Sequence, residues 1–120
     1  MSCKIVGIHL LLDIEIIQNH TLLTTTDTVQ ILLDSIVKIC KVRVIDKKCH
    51  QFVPHGVTCI YLLAESHISI HTYPENRSCY VDIFSCNAEN INTEKIIEII
   101  NTFFGECQII YSLVNRGGNI

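Results

Sequence analysis

The sequence predicts one α+β domain, a two-layer sandwich in which two helices cover one face of a mainly antiparallel sheet. Three observations support this fold class. The length of 120 residues suits a single domain, spanning residues 1–120. The composition is 48% apolar, which is enough to fill a core. The order of segments is one strand, a helix, four strands, a helix and a last strand, as in α+β proteins.

Charge and composition exclude several classes of protein. With 9 Lys and Arg against 12 Asp and Glu, the net charge is −3, so the chain lacks the basic surface of a nucleic-acid-binding protein. No apolar run reaches the roughly 18 residues of a membrane-spanning helix, and we expect neither membrane insertion nor a signal peptide. The seven cysteines form no C-x-x-C pair. They favour a reducing, cytoplasmic location, mostly as buried apolar side chains, and we expect no metal site.

Two segments have the apolar spacing of amphipathic helices. In Thr26–Lys41, apolar side chains recur at intervals of three and four residues, which places them on one helical face. Either Thr26 or Asp27 can cap its first turn. The segment Asn92–Phe104 has a similar stripe, begins with a capping asparagine and is followed by Gly105, a common helix stop.

Six strand-like runs account for the sheet. The first run is apolar on both alternating faces, with Leu10 and Leu12 on one side and Leu11 on the other. Sheets of this kind are covered on both faces. Two helices can cover one face, so a partner chain is the simplest cover for the other. The predicted strands are Cys3–Leu12, Lys41–Asp46, Val57–Ala64, His67–Tyr73, Cys79–Cys86 and Gln108–Val114.

Polar chemistry is concentrated in residues 64–75, which hold two histidines and two carboxylates. A metal site at His67 and His71 is disfavoured, because these two positions of a strand lie about 13 Å apart. A serine hydrolase is disfavoured, because no G-x-S-x-G motif surrounds a serine here. An exposed polar strand face remains as the plain structural alternative.

Five short motifs point to a specific family. They are Glu65-Ser66-His67, His71-Thr72-Tyr73-Pro74-Glu75, Asp82-Ile83-Phe84-Ser85-Cys86, Phe52–Thr58 and Gly7–Leu10. Together they resemble the prokaryotic-type S-adenosylmethionine decarboxylases, and the resemblance covers nearly the whole chain. It implies a self-processing enzyme that uses a pyruvoyl group.

The resemblance implies that the chain cuts itself at Glu65–Ser66. The Ser66 hydroxyl would attack the Glu65 carbonyl, and β-elimination of the resulting ester would leave an N-terminal pyruvoyl group at residue 66. The products would be a β chain of residues 1–65 and an α chain of residues 66–120, which remain associated. A pyruvoyl group forms a Schiff base with the substrate amine and acts as the electron sink when carbon dioxide leaves.

The resemblance also assigns roles to individual side chains. His71 matches the base of the processing reaction, and Cys86 matches the proton donor of decarboxylation. Thr58 stands where the family usually has a processing serine, and its β-branch restricts χ1. Three residues are assigned to substrate binding: Phe52 against the adenine, Glu75 on the ribose hydroxyls, and Ile68.

Spacing adds an independent argument about the hairpin. The run 74–78 reads as a turn, which makes Ser66 and Cys86 predicted cross-strand neighbours. His71 is about 16 Å from Ser66 along a continuous strand, and on the opposite face. It is therefore expected to serve the Ser66 of a partner chain. This agrees with the family pattern of a homodimer with shared active sites, in which two sheets meet in a four-layer αββα sandwich.

The expected reaction is the decarboxylation of S-adenosylmethionine, which gives the aminopropyl donor for spermidine and other polyamines. Two alternatives remain open. Some relatives in this fold family decarboxylate arginine or ornithine, and a homologue without catalytic activity can act as a regulatory subunit. Intact Ser66, His71 and Cys86 argue against the regulatory alternative.

Overall fold

The computed structural model of the chain describes residues 5–117, which form a six-stranded sheet and two α-helices. The strands are β1 (Ile5–Ile16), β2 (Val44–Gln51), β3 (Val57–Leu63), β4 (Ser66–Tyr73), β5 (Ser78–Ser85) and β6 (Cys107–Gly117). The helices are α1 (Thr26–Cys40) and α2 (Thr93–Phe104). Across the sheet the order is β2-β3-β4-β5-β1-β6, and all neighbours are antiparallel. The predicted α+β class and element order are confirmed.

The helices begin and end close to the predicted bounds, with one correction. The N-cap of α1 is Thr25, not Thr26 or Asp27, because Thr25 keeps an extended backbone and its side chain accepts a hydrogen bond from the Thr28 amide. The side chain of Asn92 caps α2 as predicted. In the residues described, neither helix has both the length and the apolar content to cross a membrane.

Strand β2 is the element that the sequence placed least well. It runs from Val44 to Gln51 instead of Lys41–Asp46. Lys41 ends α1 in a left-handed conformation, with φ 56°, so the chain cannot enter a strand there. Most of β2 is polar and exposed because it is an edge strand, and its pattern lacks the apolar alternation of a half-buried strand.

The two faces of the sheet differ in what covers them. On one side, alternate strand residues such as Leu10 and Ile70 are buried against Leu33 of α1 and Ile100 of α2. We call the opposite side the open face, because no layer of the described residues covers it. Large apolar and aromatic side chains stand exposed there: Ile60, Leu62, Tyr73, Tyr80, Ile110 and Val114. The prediction of a sheet that is apolar on both faces is confirmed.

Two cysteines depart from the prediction of free thiols. Cys49 on β2 and Cys59 on β3 face each other directly in the ladder, with 4.1 Å between their Cα atoms, and form a disulfide. The prediction was wrong for this pair. The disulfide depends on the register of β2 against β3, and the sequence had placed β2 at the wrong residues. Cys40 and Cys79 are buried free thiols as predicted, and burial raises the pKa of Cys40 to about 11. Cys3 lies outside the described residues.

Candidate active site

The hairpin of β4 and β5 sets the position of the predicted nucleophile. Its turn is a short 3-10 segment at Pro74–Asn76, followed by Arg77 in a left-handed conformation. The ladder then runs from Tyr73 opposite Ser78 to Ser66 opposite Ser85. Ser66 therefore pairs with Ser85 and not with Cys86, so the predicted register was wrong by one residue.

This register places the Cys86 side chain next to the Glu65–Ser66 peptide bond, where the sequence predicts cleavage. The Cys86 thiol donates a hydrogen bond to the carbonyl oxygen of Glu65, with an Sγ–O distance of 2.7 Å. Glu65 itself has φ 69°, a left-handed conformation that costs a non-glycine residue about 1–2 kcal/mol. A polarised carbonyl, a strained residue and the Ser66 hydroxyl thus meet at the open end of the hairpin.

A second cluster lies at the other end of β4. Thr58 on β3 is directly opposite His71, and Thr58 Oγ1 is 3.0 Å from His71 Nδ1. With the threonine as donor, the neutral ring carries its proton on Nε2 and Nδ1 accepts the hydrogen bond. This contact restricts the orientation of the imidazole ring, an arrangement that suits a general base.

These two residues line a cavity of about 490 Å³ that also contains both predicted adenosyl-binding residues. Phe52 is 47% exposed, and the Glu75 carboxylate lies at the edge of the turn. The loop between β2 and β3 reaches this place because Gly56 adopts φ +106° and a Cβ there would lie 3.2 Å from the Thr72 carbonyl. The lining residues are Phe52, His55, Val57, Thr58, His71, Thr72, Tyr73 and Glu75.

His55 is a cavity residue to which the sequence assigned no role. Its Nε2 is 3.8 Å from Glu75 Oε2, so a protonated His55 would pair with that carboxylate. Its position inside the Phe52–Thr58 motif is the feature of the sequence that could have identified it as a site residue. Ile68, in contrast, is only 1% exposed and lies on the helix side with Ser66, away from Phe52 and Glu75.

The two clusters cannot meet within one chain. The register of β4 against both neighbours is continuous from residue 66 to residue 71. Five residues of strand span about 16 Å. Ser66 also points to the helix side, whereas His71 lies on the open face. Each end of β4 therefore carries half of the predicted catalytic set.

A third group, on the open face, was not found from the sequence. His9 of β1, His67 of β4, Phe84 of β5 and Arg116 of β6 line a cavity of about 470 Å³ at the Ser66 end of the sheet. The His67 and Phe84 rings stack with centroids 5.7 Å apart, and His9 meets both rings edge-on. A Cβ at Gly7 would come within 2.6 Å of the Phe84 ring, which explains the glycine in the Gly7–Leu10 motif.

The fold and these clusters define the class: a small α+β domain with a separate polar cluster at each end of one strand. A family profile described as S-adenosylmethionine decarboxylase matches residues 8–117. The chain belongs to this family.

Individual relatives agree along nearly the whole chain. It is 36% identical over 114 residues to an S-adenosylmethionine decarboxylase proenzyme of Methanococcus maripaludis, covering 95% of this chain and 92% of the relative. A proenzyme of the same name from Hydrogenobaculum is 37% identical over 99 residues, covering 82% and 73%. The crystal structure of the adenosylmethionine decarboxylase from Aquifex aeolicus superposes with a TM-score of 0.81 at 30% identity, covering 98% of this chain and 94% of that one.

Proposed function

We propose that this chain cuts itself between Glu65 and Ser66 and then decarboxylates S-adenosylmethionine. Membership of the family supports the substrate. The observation that carries the proposal in this molecule is the hydrogen bond from Cys86 to the Glu65 carbonyl, next to Ser66. It joins the residue assigned to proton donation with the bond assigned to cleavage.

The first step of cleavage follows from this contact. Ser66 Oγ forms a bond to the Glu65 carbonyl carbon, and the negative charge that develops on the carbonyl oxygen is stabilised by the Cys86 S–H. The Glu65–Ser66 peptide C–N bond then breaks, and the nitrogen of residue 66 takes up the proton that the hydroxyl lost. Stabilisation of a developing oxyanion is usually the largest single contribution to catalysis of acyl transfer. The left-handed strain at Glu65 is released with the same bond.

The second step needs a base. Removal of the α-hydrogen of residue 66 breaks the ester C–O bond, frees the Glu65 carboxylate and leaves dehydroalanine. Addition of water then releases ammonia and gives the pyruvoyl terminus. His71 is assigned as the base, with its ring oriented by Thr58. A chain cannot supply its own His71 to its own Ser66 across about 16 Å of continuous strand, so the base comes from a partner.

The proposed partner is a second copy of the chain, joined through the open face. Exposed apolar and aromatic side chains on this face give the two sheets a surface to bury against each other. A two-fold axis across the open face places the His71 end of one protomer over the Ser66 end of the other. The result is the four-layer αββα homodimer, with two shared active sites.

The residues around Ser66 fit a pyruvoyl group, because Ser66 is the first residue of β4 and its preceding carbonyl is held by an exposed thiol. Such a group supplies an electrophilic carbonyl that takes up the electron pair left by carbon dioxide. Cys86 then holds the proton that the substrate carbon receives. The partner's Phe52 offers an aromatic face to the adenine, and the partner's Glu75 offers acceptors to the ribose hydroxyls. Ile68 would contribute only through the packing beneath residue 66.

Mass spectrometry and a substrate panel test this proposal together. The purified protein should contain two chains that meet at Glu65–Ser66, with a carbonyl at the new N-terminus. It should release carbon dioxide from S-adenosylmethionine. An uncut chain with full activity would overturn the pyruvoyl mechanism. A cut chain that acts only on arginine or ornithine would overturn the substrate and leave the mechanism in place.

A further inference from the structure

The open face carries two cavities of similar size at opposite ends of β4. One, of about 490 Å³, contains Phe52, His71 and Glu75, and the other, of about 470 Å³, contains His9 and Arg116. The proposed two-fold arrangement places the first cavity of one protomer over the second cavity of its partner. The adenosyl-binding residues have been placed in the first cavity. The second cavity has no assigned ligand.

Arg116 is the one permanently charged side chain among the described residues that line the second cavity. It extends from β6 back across the sheet, so that its guanidinium carbon lies 6.0 Å from the centre of the Phe84 ring on β5. Phe84 is opposite His67 in the ladder, and His67 follows Ser66 in the chain. The positive charge therefore lies near a side chain of β5, the strand that pairs with the one beginning at the nucleophile.

A histidine holds this guanidinium in place. Arg116 Nη1 donates to His9 Nδ1 at 3.2 Å. Since arginine has no acceptor, the His9 ring must be neutral at Nδ1 and carry its proton on Nε2. Desolvation lowers the pKa of His9, which keeps the ring in the neutral form that this contact needs. A single donor is used by His9, so the guanidinium keeps other N–H groups for a ligand.

We propose that Arg116 binds the α-carboxylate of the substrate, an inference that rests on the proposed function. When the partner's Phe52 and Glu75 hold the adenosyl end, the amino-acid end must reach residue 66, and Arg116 borders the cavity on that side. Guanidinium and carboxylate groups form paired, charge-assisted hydrogen bonds of defined geometry. A carboxylate held in this way has its rotation fixed before its bond to the α-carbon breaks. Arg116 thus selects substrates that have a carboxylate, and His9 is a positioning residue for it.

Binding of two unreactive analogues tests this role without turnover. Both lack the α-amino group of S-adenosylmethionine; one keeps the carboxylate and the other has lost it. In the cleaved protein, Arg116→Gln should bind the first analogue about 10- to 100-fold more weakly, as expected for lost hydrogen bonds to a charged group. Its affinity for the second analogue should change less than about twofold. Arg116→Lys should restore part of the loss, and Lys38→Gln on the exposed side of α1 serves as the matched control.

Each other outcome would overturn the assignment. Equal loss for both analogues would make Arg116 a structural residue, and no loss would remove it from the site. A weaker dimer by sedimentation, with unchanged analogue affinity per dimer, would make it a subunit contact instead. The wild-type protein separates the two proposals. If the wild type decarboxylates S-adenosylmethionine and Arg116→Gln binds both analogues with wild-type affinity, only the role of Arg116 is wrong. If the wild type does not decarboxylate S-adenosylmethionine, the proposed function itself is wrong.

Discussion

The two ends of strand β4 carry complementary and incomplete sets of groups. At the Ser66 end, a hydroxyl stands next to a carbonyl that is polarised by Cys86, and no base has been assigned there. At the other end, Thr58 is hydrogen-bonded to His71 in a cavity whose lining does not include Ser66. With the roles assigned above, neither end holds all the groups that the proposed reaction needs. The comparison leads us to propose that the functional unit is a pair of chains, because a continuous strand separates Ser66 from the assigned base, His71.

The largest effect is expected from removal of the nucleophile at the first end. Ser66→Ala should abolish both self-cleavage and turnover, because it removes the hydroxyl that attacks the Glu65 carbonyl and from which the pyruvoyl group is made. Intact mass and carbon dioxide release measure the two effects. Ser35→Ala is the matched control, since its hydroxyl donates to the Ile31 carbonyl within α1, away from the Glu65–Ser66 bond. Residual cleavage at Glu65 in Ser66→Ala would show that another group attacks this carbonyl.

Removal of the Cys86 thiol should slow cleavage without abolishing it. We expect Cys86→Ala to slow cleavage about 10²-fold, the usual cost of losing one donor to a developing oxyanion. Turnover of whatever is cleaved should fall at least as much, because the proton donor is lost as well. Cys86→Ser should recover part of the cleavage rate, because a hydroxyl also donates. Cleavage rates are read from denaturing gels over time, with Cys107→Ser as the control, and an unchanged rate in Cys86→Ala would remove the thiol from the cleavage step.

Substitutions in the cavity at the His71 end of β4 should impair substrate binding and not cleavage. Phe52→Ala and Glu75→Gln should each raise KM for S-adenosylmethionine about tenfold, because each removes a binding contact and no group of the cleavage step. Cleavage should stay largely intact. Steady-state kinetics on the cleaved protein measure the change. A large loss of cleavage in Glu75→Gln would mean that this end shapes the cleavage site as well as binding the substrate.

Much of this arrangement could be predicted from the sequence. The stripes of the helices and the alternation of β4 predicted the layers and the placement of Ser66 and His71 on opposite faces, whereas the choice of site residues came from the family resemblance. The register of the hairpin could not be predicted, because the run 74–78 fits a turn of four or of five residues; the left-handed Arg77 closes the shorter one, and Ser78 already pairs with Tyr73. The disulfide at Cys49 depended on the same kind of unknown register. Arg116 and His9 are 107 residues apart in the chain, and only the pairing of β1 with β6 joins them.

The smallest expected effect concerns pH at the Ser66 end. His9 has a lowered pKa because it is desolvated, so the folded state favours its neutral form. The unfolded chain binds a proton at about pH 6.5, so the stability that His9 contributes is present above that pH and is lost as the pH falls through the lower folded value. Thermal unfolding of the wild type should therefore lose more stability between pH 7 and pH 5 than that of His9→Gln. Equal losses in the two proteins would show that protonation of His9 does not contribute to the pH dependence of stability.

The pairing of two chains is the central claim, and one co-expression measurement tests it most directly. Ser66→Ala chains and His71→Ala chains, distinguishable by mass, are expressed together and the heterodimers isolated. Each homodimer should stay uncut. In the heterodimer, the intact Ser66 of the His71→Ala chain meets the intact His71 of its partner, so the His71→Ala chain should be cut and the Ser66→Ala chain should not. Heterodimers in which both chains remain whole would contradict the account and place the base within the same chain as the nucleophile.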